Sequence, residues 1–141
     1  MEIISETLVV SIHCRSIMRI NLELHNEFIQ QFLDKSNKAE AFSWLDEATD
    51  ESFRSVGDIG YNEKSLDLIK EIYDAGAVEV IAVEIDSYQD GRQNTGELIV
   101  VLPDNVDARK RVFAWCRRQA ESLGFDGDED IGQKHLFVML D

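Results

Sequence analysis

The stretch from Gly76 to Pro103, GAVEVIAVEIDSYQDGRQNTGELIVVLP, constrains the fold more than any other part of the chain. Two runs crowded with Val, Ile and Leu enclose a polar segment, and no helix breaker interrupts either run. In Ala77 to Asp86, Ile81, Val83 and Ile85 share one parity, while Val78, Val80 and Ala82 share the other before Glu84 and Asp86. Strand side chains alternate between faces, so the first half of this run needs cover on both sides and its end reaches water on one. Glu97 to Leu102 repeats the pattern, with Leu98, Val100 and Leu102 opposite Ile99 and Val101. Between them, Ser87 to Gly96 carries Asp90-Gly91, Asn94 and Gly96, residues that turn readily. The expectation is an antiparallel hairpin joined by a long, mobile loop.

Helical patterns flank this hairpin. Leu66, Ile69, Ile72 and Tyr73 recur at helical spacing after Asn62, and Gly76 stops the run. Pro103-Asp104-Asn105 leads into the longest helix, Val106 to Leu123, with an expected inward face of Val106, Phe113, Cys116, Ala120 and Leu123. Lys134 to Leu140 alternates as a last strand. Upstream, Met18, Ile20, Leu22 and Leu24 alternate with Arg19, Asn21 and Glu23, which reads as a strand with one wet face. Asn26 caps an expected helix carrying Phe28, Ile29, Phe32 and Leu33, and a second, Lys38 to Ala48, gathers Ala41, Phe42, Leu45 and Ala48 with Trp44 at its flank.

With those two early helices set aside as an elaboration, the order is βαββαβ. That is the ferredoxin-like arrangement within the α+β class: a four-stranded antiparallel sheet with two main helices on one face. Three of its strands are apolar on both faces, so the early helices or a second copy of the chain must cover the other face, and the early helices are the expected cover. The 141 residues suit one domain. Because the strand pattern opens at Met18, Met1 to Ile17 reads as an appended extension; the alternative is that Thr7 to Ile12 adds an edge strand.

A formal net charge of −14 argues against non-specific nucleic-acid binding, which needs clustered Lys and Arg, and against adsorption to anionic membranes. Such a surface confers solubility and suits a partner with a basic face. Cys14 and Cys116 stand far apart, without the spacing of a zinc cluster or a disulfide framework, so a reducing cytosol is the expected compartment. The apolar run Leu8 to Ile12 is too short, and too acidic in front, for a signal peptide, and no segment approaches the ~20 apolar residues of a membrane span.

No motif calls for an organic cofactor. Gly57-Asp58-Ile59-Gly60 lacks the lysine and preceding strand of a phosphate loop, and no nucleophile-elbow sequence occurs. In Asp126-Gly127-Asp128-Glu129-Asp130-Ile131-Gly132, an EF-hand register would need Gly at Ile131 and an acid at Phe137. The ferredoxin-like strand order would gather His25, Lys134, His135, Glu97 and Asp86 at one end of the sheet. Strands lie about 4.8 Å apart, so His25, His135 and Glu97 are candidate ligands of a divalent metal, or an acid–base set.

The long helix concentrates Arg109, Lys110, Arg111, Arg117 and Arg118, five of the chain's 14 basic residues. Arg111, Trp115 and Arg118 are the candidate partner-binding patch on its flank. Two functions follow. One is a non-enzymatic protein-binding or regulatory module, acting on a protein partner or as a homodimer; the alternative is a small metal-dependent enzyme or metal-binding protein using the two histidines and Glu97.

Overall fold

A computed structural model describes residues 19–141, so both expectations for Met1 to Ile17 lie outside the described residues. Within them the fold is α+β, with two sheets and several helices. Helix α1 covers residues 19–33. It is followed by β1 (Ala39–Glu40), α2 (Ala41–Asp46), β2 (Arg54–Val56), α3 (Asn62–Ala75) and β3 (Glu79–Val83). Then come β4 (Asp86–Ser87), β5 (Gln93–Thr95), β6 (Glu97–Val101), α4 (Val106–Ser122) and β7 (His135–Met139).

The hairpin forms as its sequence implies: β3 and β6 pair antiparallel, with Val83 opposite Glu97 and Glu79 opposite Val101. β1 lies against β3 and β7 against β6, giving a four-stranded antiparallel sheet in the order β1-β3-β6-β7. The polar segment between β3 and β6 is itself built. β5 runs parallel to β2 and antiparallel to β4, forming a second, mixed sheet of three strands.

The ferredoxin-like topology is not found. Residues 19–24, expected as its first strand, are the opening turns of α1. The alternation of apolar residues there overlaps a longer helical stripe, Leu22, His25, Ile29, Phe32 and Leu33, and Leu22, Glu23, Leu24, Glu27, Gln30 and Gln31 are good helix formers with no Gly or Pro among residues 19–33. Ile20 and Leu24, which a strand would have buried, are more than half exposed at 55% and 59%. With no strand to occupy that place, β7 pairs with β6, the expected third strand.

Strand parity divides the core into two layers. Val80, Ala82, Leu98, Val100, Leu136 and Val138 face one way, where Leu45 of α2, Ile69 and Ile72 of α3, and Val112 and Cys116 of α4 complete the larger cluster. Val83 and Ile99 face the other way with Ile81 and Phe137, and meet Ile29, Phe32 and Leu33 of α1. The first early helix therefore does cover the second face, as expected, but the second does not: Phe42 and Trp44 pack beside α3. On α4 the buried residues are Ala108, Val112, Trp115 and Cys116. Val106, expected inward, is 65% exposed because it stands at the first turn, beyond the sheet.

Local chemistry sets the element ends. Glu40 caps α2, its carboxylate accepting the N–H groups of Phe42 and Ser43 at 2.9 and 2.8 Å. Asn105 caps α4 by accepting from Ala108 N–H at 2.9 Å. Gly76 ends α3 at φ 123°, and a Cβ there would lie 2.9 Å from that of Ala108, so its absence permits both the turn and the close approach of α4.

Candidate functional site

The three candidate metal ligands do not converge. His25 projects from α1 to the start of β7, where its Nε2 lies 2.7 Å from the carbonyl oxygen of His135. Burial, followed by the charges of His25 and Lys134, pushes the His135 imidazole below its ordinary pKa. Glu97 is at the opposite end of the sheet. It pairs with Met139, whereas His135 pairs with Val101, and four strand residues put about 13 Å between those ends. The expected juxtaposition depended on a first strand between β6 and β7 that does not exist. Among the described residues no group of three or more His, Cys, Asp or Glu side chains is placed to hold a metal ion.

Glu97 instead belongs to a cluster of carboxylates at the end of β3 and the start of β6. Burial raises its pKa, the charges of Glu84 and Asp141 raise it further, Lys35 opposes them, and Asp86 adds a smaller rise. Its Oε2 is shut off from solvent and has no hydrogen-bond partner among the described residues. A buried carboxylate oxygen without a donor costs free energy, so this arrangement is held by the surrounding fold at the expense of local stability.

Two backbone features hold it. Thr95 is fully buried; its hydroxyl donates to the Val83 carbonyl and accepts the Glu97 N–H at 3.1 Å, tying the start of β6 to the end of β3. Gly96 leaves room for the Asp141 side chain, since a Cβ at Gly96 would fall 2.2 Å from Asp141 Oδ1. Glu84, directly after β3, adopts φ 51°, the only non-glycine residue at positive φ among those described. That conformation costs an L-residue about 1–2 kcal/mol. Lys35, just beyond α1, forms the cluster's one ion pair among the described residues, with Glu84.

No protein-family model, curated protein or solved structure matches this chain. What the site can do therefore rests on its own geometry. Strain, an orphaned oxygen and mutual repulsion coincide at one place, a combination that cores avoid and functional sites tolerate. Carboxylates are gathered there, and the single ammonium of Lys35 supplies less charge than they carry.

The candidate partner patch on α4 is redistributed. Trp115 is buried at 9% exposure, its indole Nε1 donating to Glu71 Oε2 at 3.2 Å, so it joins α4 to α3. Arg111 is exposed and donates from Nε to the Ala75 carbonyl at 3.2 Å. Arg118 lines an open groove of about 460 Å³ with Lys110, Phe113, Ala114 and Arg117, facing Asp128 and Asp130.

Sequence reasoning named Glu97 and Asp86 but missed Glu84 and Asp141. Glu84 has a sequence signal only in its position, where the apolar parity of β3 breaks; its positive φ has none. Asp141 is brought in by β7 pairing, with Leu140 N–H bonded to the Gly96 carbonyl at 2.8 Å.

Proposed function

We propose that this protein is a non-enzymatic module that binds or regulates a protein partner, and that the carboxylate cluster at the Glu97 end of the main sheet receives a Lys or Arg side chain from it. The observation that carries this reading is the Glu97 carboxylate, half-buried with Oε2 unpartnered and surrounded by like charges. An incoming guanidinium or ammonium held by the accessible carboxylates beside Glu97 would offset the repulsion. The acidic balance of the chain adds long-range attraction for a basic surface. The metal-dependent reading has no comparable support, because strand pairing puts Glu97 and His135 at opposite ends of β6 and β7.

The test is a titration with a short arginine-containing peptide, followed by amide chemical shifts. Shifts centred on Val83, Glu84, Gly96 and Glu97, and lost in Glu97→Gln with Glu84→Gln, would support the proposal. Shifts spread evenly over the acidic surface, or unchanged in the double variant, would sink it.

A further inference from the structure

Charge is not evenly distributed over this chain. α4 carries five of the 14 basic residues and only two of the 28 acids, leaving nine cations among 26 acids elsewhere. Two of the five are committed. Arg109 forms paired hydrogen bonds with Asp130 at 2.7 and 2.8 Å, and Arg111 reaches Ala75. Lys110, Arg117 and Arg118 make no ion pair and no hydrogen bond among the described residues, and all three line the same groove.

The groove is a built feature. Its floor is Phe113 and Ala114, with the Arg109 guanidinium 5.4 Å from the Phe113 ring centre. Its far wall is the connection from α4 to β7, held by the Arg109–Asp130 pair and by Arg109 donating to the Gln133 carbonyl at 2.7 Å. Gly127 lets that connection lie against the stem of Arg117, whose Cγ would sit 2.6 Å from a Cβ at that position. Asp130 of the wall is neutralised by Arg109, which leaves Asp128 of the wall and Glu121 of α4 against three unpaired cations.

We infer that the groove between α4 and the 126–130 connection is a docking site for an acidic peptide segment of a partner protein, anchored by an apolar side chain on Phe113 and Ala114. The occupant follows from charge complementarity. Lys110 and Arg117 lie seven residues apart on one side of the helix, about 10.5 Å along its axis. An extended peptide rises about 3.3 Å per residue and alternates faces, so carboxylates four residues apart, about 13 Å, share one face and come within reach of both long cationic side chains, and the residue midway between them faces the floor. Asp128 opposes a uniformly acidic tract, and so favours a segment whose charge is confined to the α4 side. This surface is separate from the Glu97 cluster, so it stands or falls independently of the proposal above.

The test uses fluorescence anisotropy with a short fluorescein-labelled peptide carrying two glutamates about four residues apart with a leucine midway between them, so that all three share one face. Saturable binding to the native chain is expected, weakening with added salt. Lys110→Glu with Arg117→Glu should weaken it by at least about tenfold. Ala114→Gln, which fills the floor without changing charge, should weaken it as well, and keeps the test valid if the double reversal fails to fold. Glu84→Gln should leave it unchanged, so failure here is distinguishable from failure at the other site. Equal binding by both groove variants, or no saturable binding by the native chain, overturns the inference; so does equal affinity for a peptide with serine in place of the leucine.

Discussion

The imidazole of His25 donates from Nε2 to the main-chain carbonyl of His135, 2.7 Å away. A carbonyl only accepts, so this contact fixes the proton on Nε2. It also guards a sheet edge. Leu102 N–H bonds the Lys134 carbonyl and Leu140 N–H the Gly96 carbonyl, both at 2.8 Å. By antiparallel alternation the main-chain groups of His135, Phe137 and Met139 therefore point away from β6. His25 occupies the first of those carbonyls and Gln119 Nε2 the last, at 3.3 Å, which blunts an edge that would otherwise invite another strand.

Replacing His25 with Ala should consequently cost about 1 kcal/mol, the net worth of one hydrogen bond, and His25→Gln should recover part of it. Urea denaturation of the three proteins checks this. Equal midpoints for His25→Ala and the native chain would mean that the clamp contributes nothing.

The lowered pKa of His135 gives stability a pH dependence of known sign. Burial keeps the folded imidazole neutral, so below its ordinary value of 6.5 the unfolded chain binds more protons than the folded one. This contribution is present above pH 6.5 and is lost as the pH falls through the lower, folded value. His135→Gln should flatten the profile of denaturation midpoint against pH on the acid side of that value. An unaltered slope would contradict the assignment.

Glu97 has the opposite linkage. Its pKa is raised in the fold above the ordinary 4.5, so between those values the folded chain binds more protons, and stability falls as the pH rises through that window. Glu97→Gln removes the charge while keeping the shape. It should stabilise the fold at neutral pH by about 0.5 kcal/mol after allowing for solvent screening, read as a rise in melting temperature. The gain should shrink in acid, and a loss of stability at neutral pH would show that the carboxylate is better satisfied than its surroundings indicate.

Tyr73 is a junction in the first layer of the core. Its hydroxyl donates to Glu40 Oε2 at 2.7 Å and accepts the Val80 N–H at 3.0 Å, which joins α3, the α2 cap and β3. Burial, then the Glu40 hydrogen bond, pushes the phenol up to about 12. Tyr73→Phe leaves the Val80 N–H without its partner and should cost about 1–3 kcal/mol. Chemical denaturation measures it, and a change below about 0.5 kcal/mol would mean that water replaces the hydroxyl.

Cys116 should be inert while the protein is folded. Burial raises its thiol to about 12, so almost no thiolate exists near neutrality. In a Cys14→Ser background, a disulfide reagent at about pH 8 should label Cys116 only after denaturant is added. Rapid labelling of the folded chain would place the thiol within reach of solvent.

Much of this fold is written locally. The β3–β6 hairpin follows from two apolar runs of alternating parity, α3 from a stripe ended by Gly76, and α4 from Asn105 and the residues after it. These need only near neighbours, because caps, periodicity and turn chemistry act over a few residues. The need for cover on both faces of the sheet was equally legible, since Ile81 and Val83 as well as Val80 and Ala82 are apolar.

Tertiary structure decided what pairs and what meets. Residues 19–24 carry a pattern compatible with strand or helix, and helix propensity together with the packing of Ile29, Phe32 and Leu33 of the same helix on Val83, Ile99 and Phe137 selects the helix. That choice removes the expected first strand, sets β7 against β6, and separates Glu97 from His135. The same pairing brings Asp141 over Gly96 and completes the carboxylate cluster. Local rules specify elements, whereas a site assembled from β3, β6 and the chain end depends on which strands become neighbours, and that is fixed by burial summed over the whole core.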